Sequence, residues 1–163
     1  MDNFAPYNQE GEYPVATDGD YIYTARWNST EFYRYDLDGT YVGEFTIAGA
    51  GNLRDLTYDG EYFYASNNSS SIYEMDFGDE ILVSTITTTV SSIRSIAYDA
   101  ENDGFWVGDG WSPGSLQLVD RTGSNIETLP ITLTSISGMA WENVLEDGPY
   151  LSGHIVRIII TMT

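Results

Sequence analysis

The sequence predicts an all-β chain of about four β-propeller blades, the last incomplete, each a four-stranded antiparallel sheet. Three observations predict it. The 163 residues include 13 Tyr, 6 Phe and 4 Trp, and aromatic and β-branched residues suit a pleated, half-buried surface. Short runs of such residues alternate with clusters of Gly, Asp, Asn and Ser, which mark turns. A residue pattern recurs about every 41 positions, the period at which four short strands build one blade. A β-sandwich would not require that recurrence.

The elements follow in order, with A the innermost strand of each blade and D the outermost. Strand A is Leu53 to Tyr58 in the second blade, with counterparts at Ile93 to Tyr98 and Ile136 to Trp141, and a weaker copy at Glu12 to Thr17. Small residues there (Thr57, Ala97, Ala140) suit crowding near an axis. Strand B is aromatic: Tyr21-Ile22-Tyr23, Tyr62-Phe63-Tyr64 and Phe105-Trp106-Val107. Each follows an Asp-Gly pair (Asp18-Gly19, Asp59-Gly60, Asp103-Gly104) that supplies the positive φ of a tight turn. Strand C ends in Asp before a Gly-bearing turn, at Asp36, Asp76 and Asp120. In the second blade the four strands fall at about 53–58, 61–66, 71–76 and 81–87. The blades span about 11–47, 52–87, 92–133 and 135–161 of a single β-propeller domain or propeller fragment, 1–163. One four-stranded sheet cannot bury both faces alone, so the strand B aromatics are expected between neighbouring blades.

The stretches YDGEYFYASNNSSSIYEMD (58–76) and AYDAENDGFWVGDG (97–110) resemble the blades of exported bacterial propellers of the NHL/YVTN-like or SMP-30/virginiamycin-lyase-like kind. The likeness runs from residue 11 to about 152. It implies the fold and leaves function open, because propeller blades host unrelated activities. The enzymes among those propellers rely on His or on a carboxylate-and-Asn metal site, and no residue-by-residue match carries over.

The last blade departs from the pattern. Residues 148–152 are expected as its strand B and Ile155 to Thr161 as its strand C, with residues 3–8 available to complete the sheet. Residues 148–163 hold none of the 25 Asp and Glu. An apolar edge strand pairs with other chains unless it is blunted, so a homo-oligomer formed through terminal edge strands is one expectation, and an altered reading frame near 152 is another.

Composition narrows the function. A net charge of -19 with six Arg and no Lys disfavours nucleic acid and anionic membrane surfaces as partners. No window is long and apolar enough to span a membrane. The start at Met1-Asp2-Asn3 lacks signal-peptide character. The acidic composition fits an extracellular or cell-surface setting. Without Cys there is neither a disulfide nor a thiolate site.

In a propeller the B–C and D–A connections share one face. Arg26, Trp27, Asn28, Asn67, Asn68, Asp109 and Trp111 lie on the B–C loops, and Arg54 and Arg94 head the inner strands. Aromatic platforms beside amides and planar donors suit a glycan or a carboxylate. The same residues also serve as ordinary packing and turn residues, and Arg54 and Arg94 are expected to pair with Asp55 or loop acids. Asp36-Leu37-Asp38-Gly39-Thr40 begins like a calcium loop, but Ile47 stands where the twelfth-position Glu belongs. No cofactor is predicted, and calcium has no supporting motif. The one His, His154, lies in the atypical tail, so no catalytic residue is assigned. The expected role is a non-enzymatic binding or scaffold module for a glycan or protein on the B–C loop face. The alternatives are part of a metal-dependent propeller hydrolase or lyase, and a self-assembling subunit.

Overall fold

A computed structural model describes residues 12–109, 115–130, 136, 138–144 and 155–161, with backbone alone at 12, 13, 109, 115, 141–144 and 155–161. The first sheet holds β1 (Glu12–Thr17), β2 (Tyr21–Arg26), β3 (Glu31–Asp36) and β4 (Tyr41–Thr46). The second holds β5 (Asp55–Tyr58), β6 (Phe63–Ser66), β7 (Ser71–Asp76) and β8 (Ile81–Thr87). The third holds β9 (Ile93–Asp99), β10 (Gly104–Asp109), β11 (Ser115–Asp120) and β12 (Asn125–Pro130). Each is an antiparallel meander. β13 (Gly138–Val144) and β14 (Ile155–Thr161) make a two-stranded sheet. The first strands of the sheets lie side by side, β1 against β5, β5 against β9 and β9 against β13. The strands of each blade therefore run outward from a shared inner wall.

The blades repeat to the rung. The last pair of each four-stranded sheet carries a bulge at one equivalent place, between Arg34 and Tyr35, Glu74 and Met75, and Leu118 and Val119. A bulge bends its strand and steepens the local twist, which a blade needs between its inner and outer edges.

The core lies in the seams between sheets. Tyr23, Phe32 and Phe45 of the first blade pack against Phe63 and Phe77 of the second. Tyr64, Ile72 and Ile86 of the second pack against Phe105 and Val119 of the third. Trp106 and Leu118 of the third meet Ile136 and Met139. Gly123 fits a close approach: its φ is +85° and a Cβ there would lie 2.1 Å from the Thr87 carbonyl oxygen.

Two expectations need correction. Residues 155–161 pair directly with β13, Gly138 opposite Thr161 and Val144 opposite Ile155. They take the strand B position next to the inner strand, not strand C; residues 148–152 and 3–8 lie outside the described residues. The third blade is also one step out of the expected register. Tyr58 faces Phe63, whereas Tyr98 faces Phe105, a turn two residues longer. Phe105 is thus the counterpart of Phe63, and Trp106 of Tyr64. Gly19 and Gly60 have φ of 95° and 105°, but in the third blade Asp103 is the left-handed residue, at 48°, and Gly104 is already in the strand. The conserved-looking Asp-Gly pair is therefore not one device in all three turns. What the turns share is an Asp at the end of strand A. Asp18, Asp59 and Asp99 each accept two turn amides on Oδ1.

Candidate functional site

On the B–C loop face the structure brings several of the expected residues together. The Arg54 guanidinium carbon lies 3.3 Å from the Trp27 ring centroid, a cation–π contact. With its carboxamide oxygen facing that guanidinium, Asn68 accepts from Arg54 Nε at 2.8 Å and Nη2 at 3.3 Å. Asn28 and Asn68 adopt left-handed φ of 61° and 63° at equivalent turn positions, a conformation Asn tolerates well. The same loops fasten neighbouring blades. Asn52 N donates to the Ser29 carbonyl at 3.2 Å, Asn68 N to Ile93 at 2.8 Å, and Ile93 N to Ser69 at 2.8 Å. Asn67 donates to the Tyr73 hydroxyl at 2.8 Å, and Arg26 pairs with Glu31 at 3.1 Å. Arg94 lies half-buried on β9. Trp111 and the side chain of Asp109 lie outside the described residues.

Asp55 does not serve as the arginine's counter-ion expected from the sequence. Its carboxylate is buried and turned toward the inner wall, where it accepts from the backbone N–H of Ile96 at 2.9 Å, Met139 at 3.2 Å and Leu56 at 3.1 Å. It thereby joins the inner strands of three blades. Burial pushes its carboxyl up to about 7 against the pull of those three donors.

The opposite face, made by the A–B and C–D turns, carries features that sequence reasoning missed. At the seam of the second and third blades, Arg121 on the C–D turn reaches back across the junction. Its Nη1 meets Asp59 Oδ2 at 2.7 Å. Its Nε and Nη2 donate to Asp103 Oδ1 at 2.9 and 2.7 Å, and Nη1 also donates to the Tyr64 hydroxyl. The guanidinium carbon stands 5.2, 5.2 and 5.4 Å from the ring centroids of Tyr64, Tyr98 and Phe105. Burial would raise the Asp59 carboxyl, yet the Tyr62 and Glu61 amides and Arg121 hold it below the ordinary carboxylate range. Arg121 does the same for Asp103.

At the seam of the first and second blades the same face opens into a cleft of about 380 Å³. Five aromatic rings and four carboxylates line it, together with Arg34. Phe77 stacks on Phe63 at 4.0 Å. Asp18 Oδ2 accepts from the Tyr23 hydroxyl at 3.0 Å, and burial followed by that bond raises the Tyr23 phenol. Arg34 lies 5.4, 5.7 and 5.5 Å from the centroids of Tyr21, Tyr23 and Phe45. No ion pair among the described residues involves it, and its Nε is buried without a hydrogen-bond partner.

Among the described residues no group of three or more His, Cys, Asp or Glu is placed to hold a metal ion. None forms a helix long and apolar enough to cross a membrane.

The radial array of twisted antiparallel sheets is propeller architecture, and comparison with solved structures agrees. The chain is similar to the Myxococcus xanthus glutaminyl cyclase, with a TM-score of 0.67 and 15% identity over 91% of this chain and 73% of that one. It is also similar to the RRP9 WD40 repeats and to U3-55K, each with a TM-score of 0.60 and 14% identity over 83% of this chain. The chain spans 43% and 44% of those two. At such identities the likeness shows the fold alone. No protein-family model and no curated protein matches the sequence.

Proposed function

We propose that the chain is a non-enzymatic propeller module that binds a partner, with its seat in the cleft between the first and second blades. One observation carries this reading: a concave site of about 380 Å³ sets the half-buried rings of Tyr21 and Tyr58 beside four carboxylates and a guanidinium that forms no ion pair among the described residues. Ligand seats set placed polar groups beside ring faces, and here the polar groups dominate the lining. The net charge of -19 supports a partner with cationic groups, since the field of the whole molecule draws such a partner in. The B–C loop face is a second proposed surface, for a glycan or protein, supported by the half-exposed Trp27–Arg54 stack.

Titration of the isotope-labelled chain with monosaccharides, amino acids, organic amines and short peptides tests the reading by NMR. Saturable shifts at Asp18–Tyr23, Glu61–Phe63 and Asp76–Gly78 are expected. Shifts confined to Trp27, Asn67 and Asn68 would move the seat to the loop face. No saturable shift with any of these compounds would overturn the binding reading.

A further inference from the structure

The geometry points to a guanidinium group as the ligand of the cleft, a conclusion that rests on the binding-module reading above. The second seam shows what such a site holds, because there the chain supplies the cation itself. Five residues surround Arg121: Asp59, Tyr64, Tyr98, Asp103 and Phe105. One blade earlier, strand register assigns each a counterpart. Asp18 matches Asp59, as both accept two amides of the A–B turn. Tyr23 matches Tyr64, paired across to Arg34 and Glu74 at the same rung. Tyr58 and Phe63 match the facing pair Tyr98 and Phe105. Glu61 matches Asp103, each two residues before that Phe. All five counterparts line the cleft.

The residue that differs is the plug. Asp76 and Asp120 end equivalent strands, so Phe77 holds the position of Arg121. Its ring turns into the core among Tyr23, Phe32, Phe45 and Phe63. The C–D turn of the second blade therefore sends no cation to Asp18 and Glu61. Arg34 occupies the rung that Glu74 fills in the next blade, and it faces Tyr21, Tyr23 and Phe45. Four carboxylates against that one guanidinium leave the cleft negative. A planar guanidinium suits this setting because it donates bidentately to carboxylates and stacks on aromatic faces at once.

The group arrives either on a small molecule or on an arginine side chain of a partner protein, and the test separates the two. The whole chain is titrated by NMR with agmatine, with N-carbamoylputrescine, which keeps agmatine's ammonium but carries a neutral urea in place of the guanidinium, and with acetyl-Gly-Arg-Gly-amide. Agmatine should shift Asp18–Tyr23, Glu61–Phe63 and Asp76–Gly78 saturably, and the urea should bind at least about tenfold more weakly, as expected when a charged donor is lost. Glu61→Gln and Asp20→Asn alter exposed side chains and leave the fold intact; each should weaken agmatine about three- to tenfold. A peptide that binds more tightly than agmatine assigns the group to a protein partner, and the reverse order to a small molecule. Equal binding of agmatine and the urea at the cleft overturns the guanidinium assignment while the module reading stands. No shift at the cleft with any of the three overturns the guanidinium assignment, and the module reading falls with it only when the wider panel of compounds shifts nothing on either face.

Discussion

The first and second seams of this propeller are built on the same frame and closed by opposite chemistry. In both, an Asp from the A–B turn, a strand B tyrosine, and a facing Tyr–Phe pair form a half-cage on the turn face. The second seam is closed by Arg121, tied to two carboxylates. The first is closed beneath by Phe77 and remains open above it. One side chain at a turn thus decides whether a seam is a structural junction or a cleft. Apolar closure is non-directional and strong. Ionic closure is specific, because removing either partner strands the other.

The largest effect is expected at the apolar plug. Phe77→Ala should lower unfolding free energy by about 3–5 kcal/mol, the usual range for a buried Phe, read from urea denaturation. A loss near zero would mean that the first seam does not depend on its ring cluster.

The next effect is on pH dependence and comes from Asp55, which serves the inner wall of both seams. Its folded value, about 7, lies above the ordinary carboxyl value of 3.8. Between those limits the folded state binds the extra proton, so this contribution to stability is complete at low pH and is lost as pH rises to about 7. The loss should be on the order of 4 kcal/mol, and Asp55→Asn should flatten it. Asp59 and Asp103, both held below the ordinary range, act with the opposite sign. Their contribution is present above that range and is lost in acid. A stability curve that rises throughout from pH 4 to 7 would contradict the role given to Asp55.

Arg121→Ala should cost about 2–3 kcal/mol, since the Asp59 side chain, 5% exposed, then keeps a charge without its partner. Arg121→Lys should recover only part of this, because an ammonium lacks the planar fork. Full recovery by Lys would mean that charge alone closes the seam. The smallest effect belongs to the loop face, where Trp27→Ala should cost about 1 kcal/mol for the lost stack with Arg54, measured the same way.

The sequence displayed the repeat because each blade must place strands and turns at the same depth. The limits expected for the second blade, 71–76 and 81–87, match β7 and β8. The third blade was misread by one rung because an Asp-Gly pair falls inside a longer turn, where the strand-ending Asp99 was the better guide. The order of the last strands was illegible because Ile155–Thr161 has no alternation to fix its neighbour. On the loop face, Trp27, Arg54 and Asn68 were found because they occupy repeat positions in turns. The cleft was not, because it depends on Leu37, Phe77 and Arg121, three unlike residues at one repeat position. Such variation looks like noise until the seams are seen in space. The sequence offers Asp55 only as an arginine's partner; its place on the inner wall is illegible there for the same reason, since its counterpart in the third blade is Ser95.

The most direct test of the shared frame is the agmatine stoichiometry of the parent chain and of Arg121→Ala, each confirmed folded by its NMR spectrum. One site in the parent and a second in the variant, with shifts appearing at Asp59, Asp103 and Tyr64, is the predicted result. An unchanged stoichiometry, or no site in the parent, would contradict the account that both seams are built to hold a guanidinium.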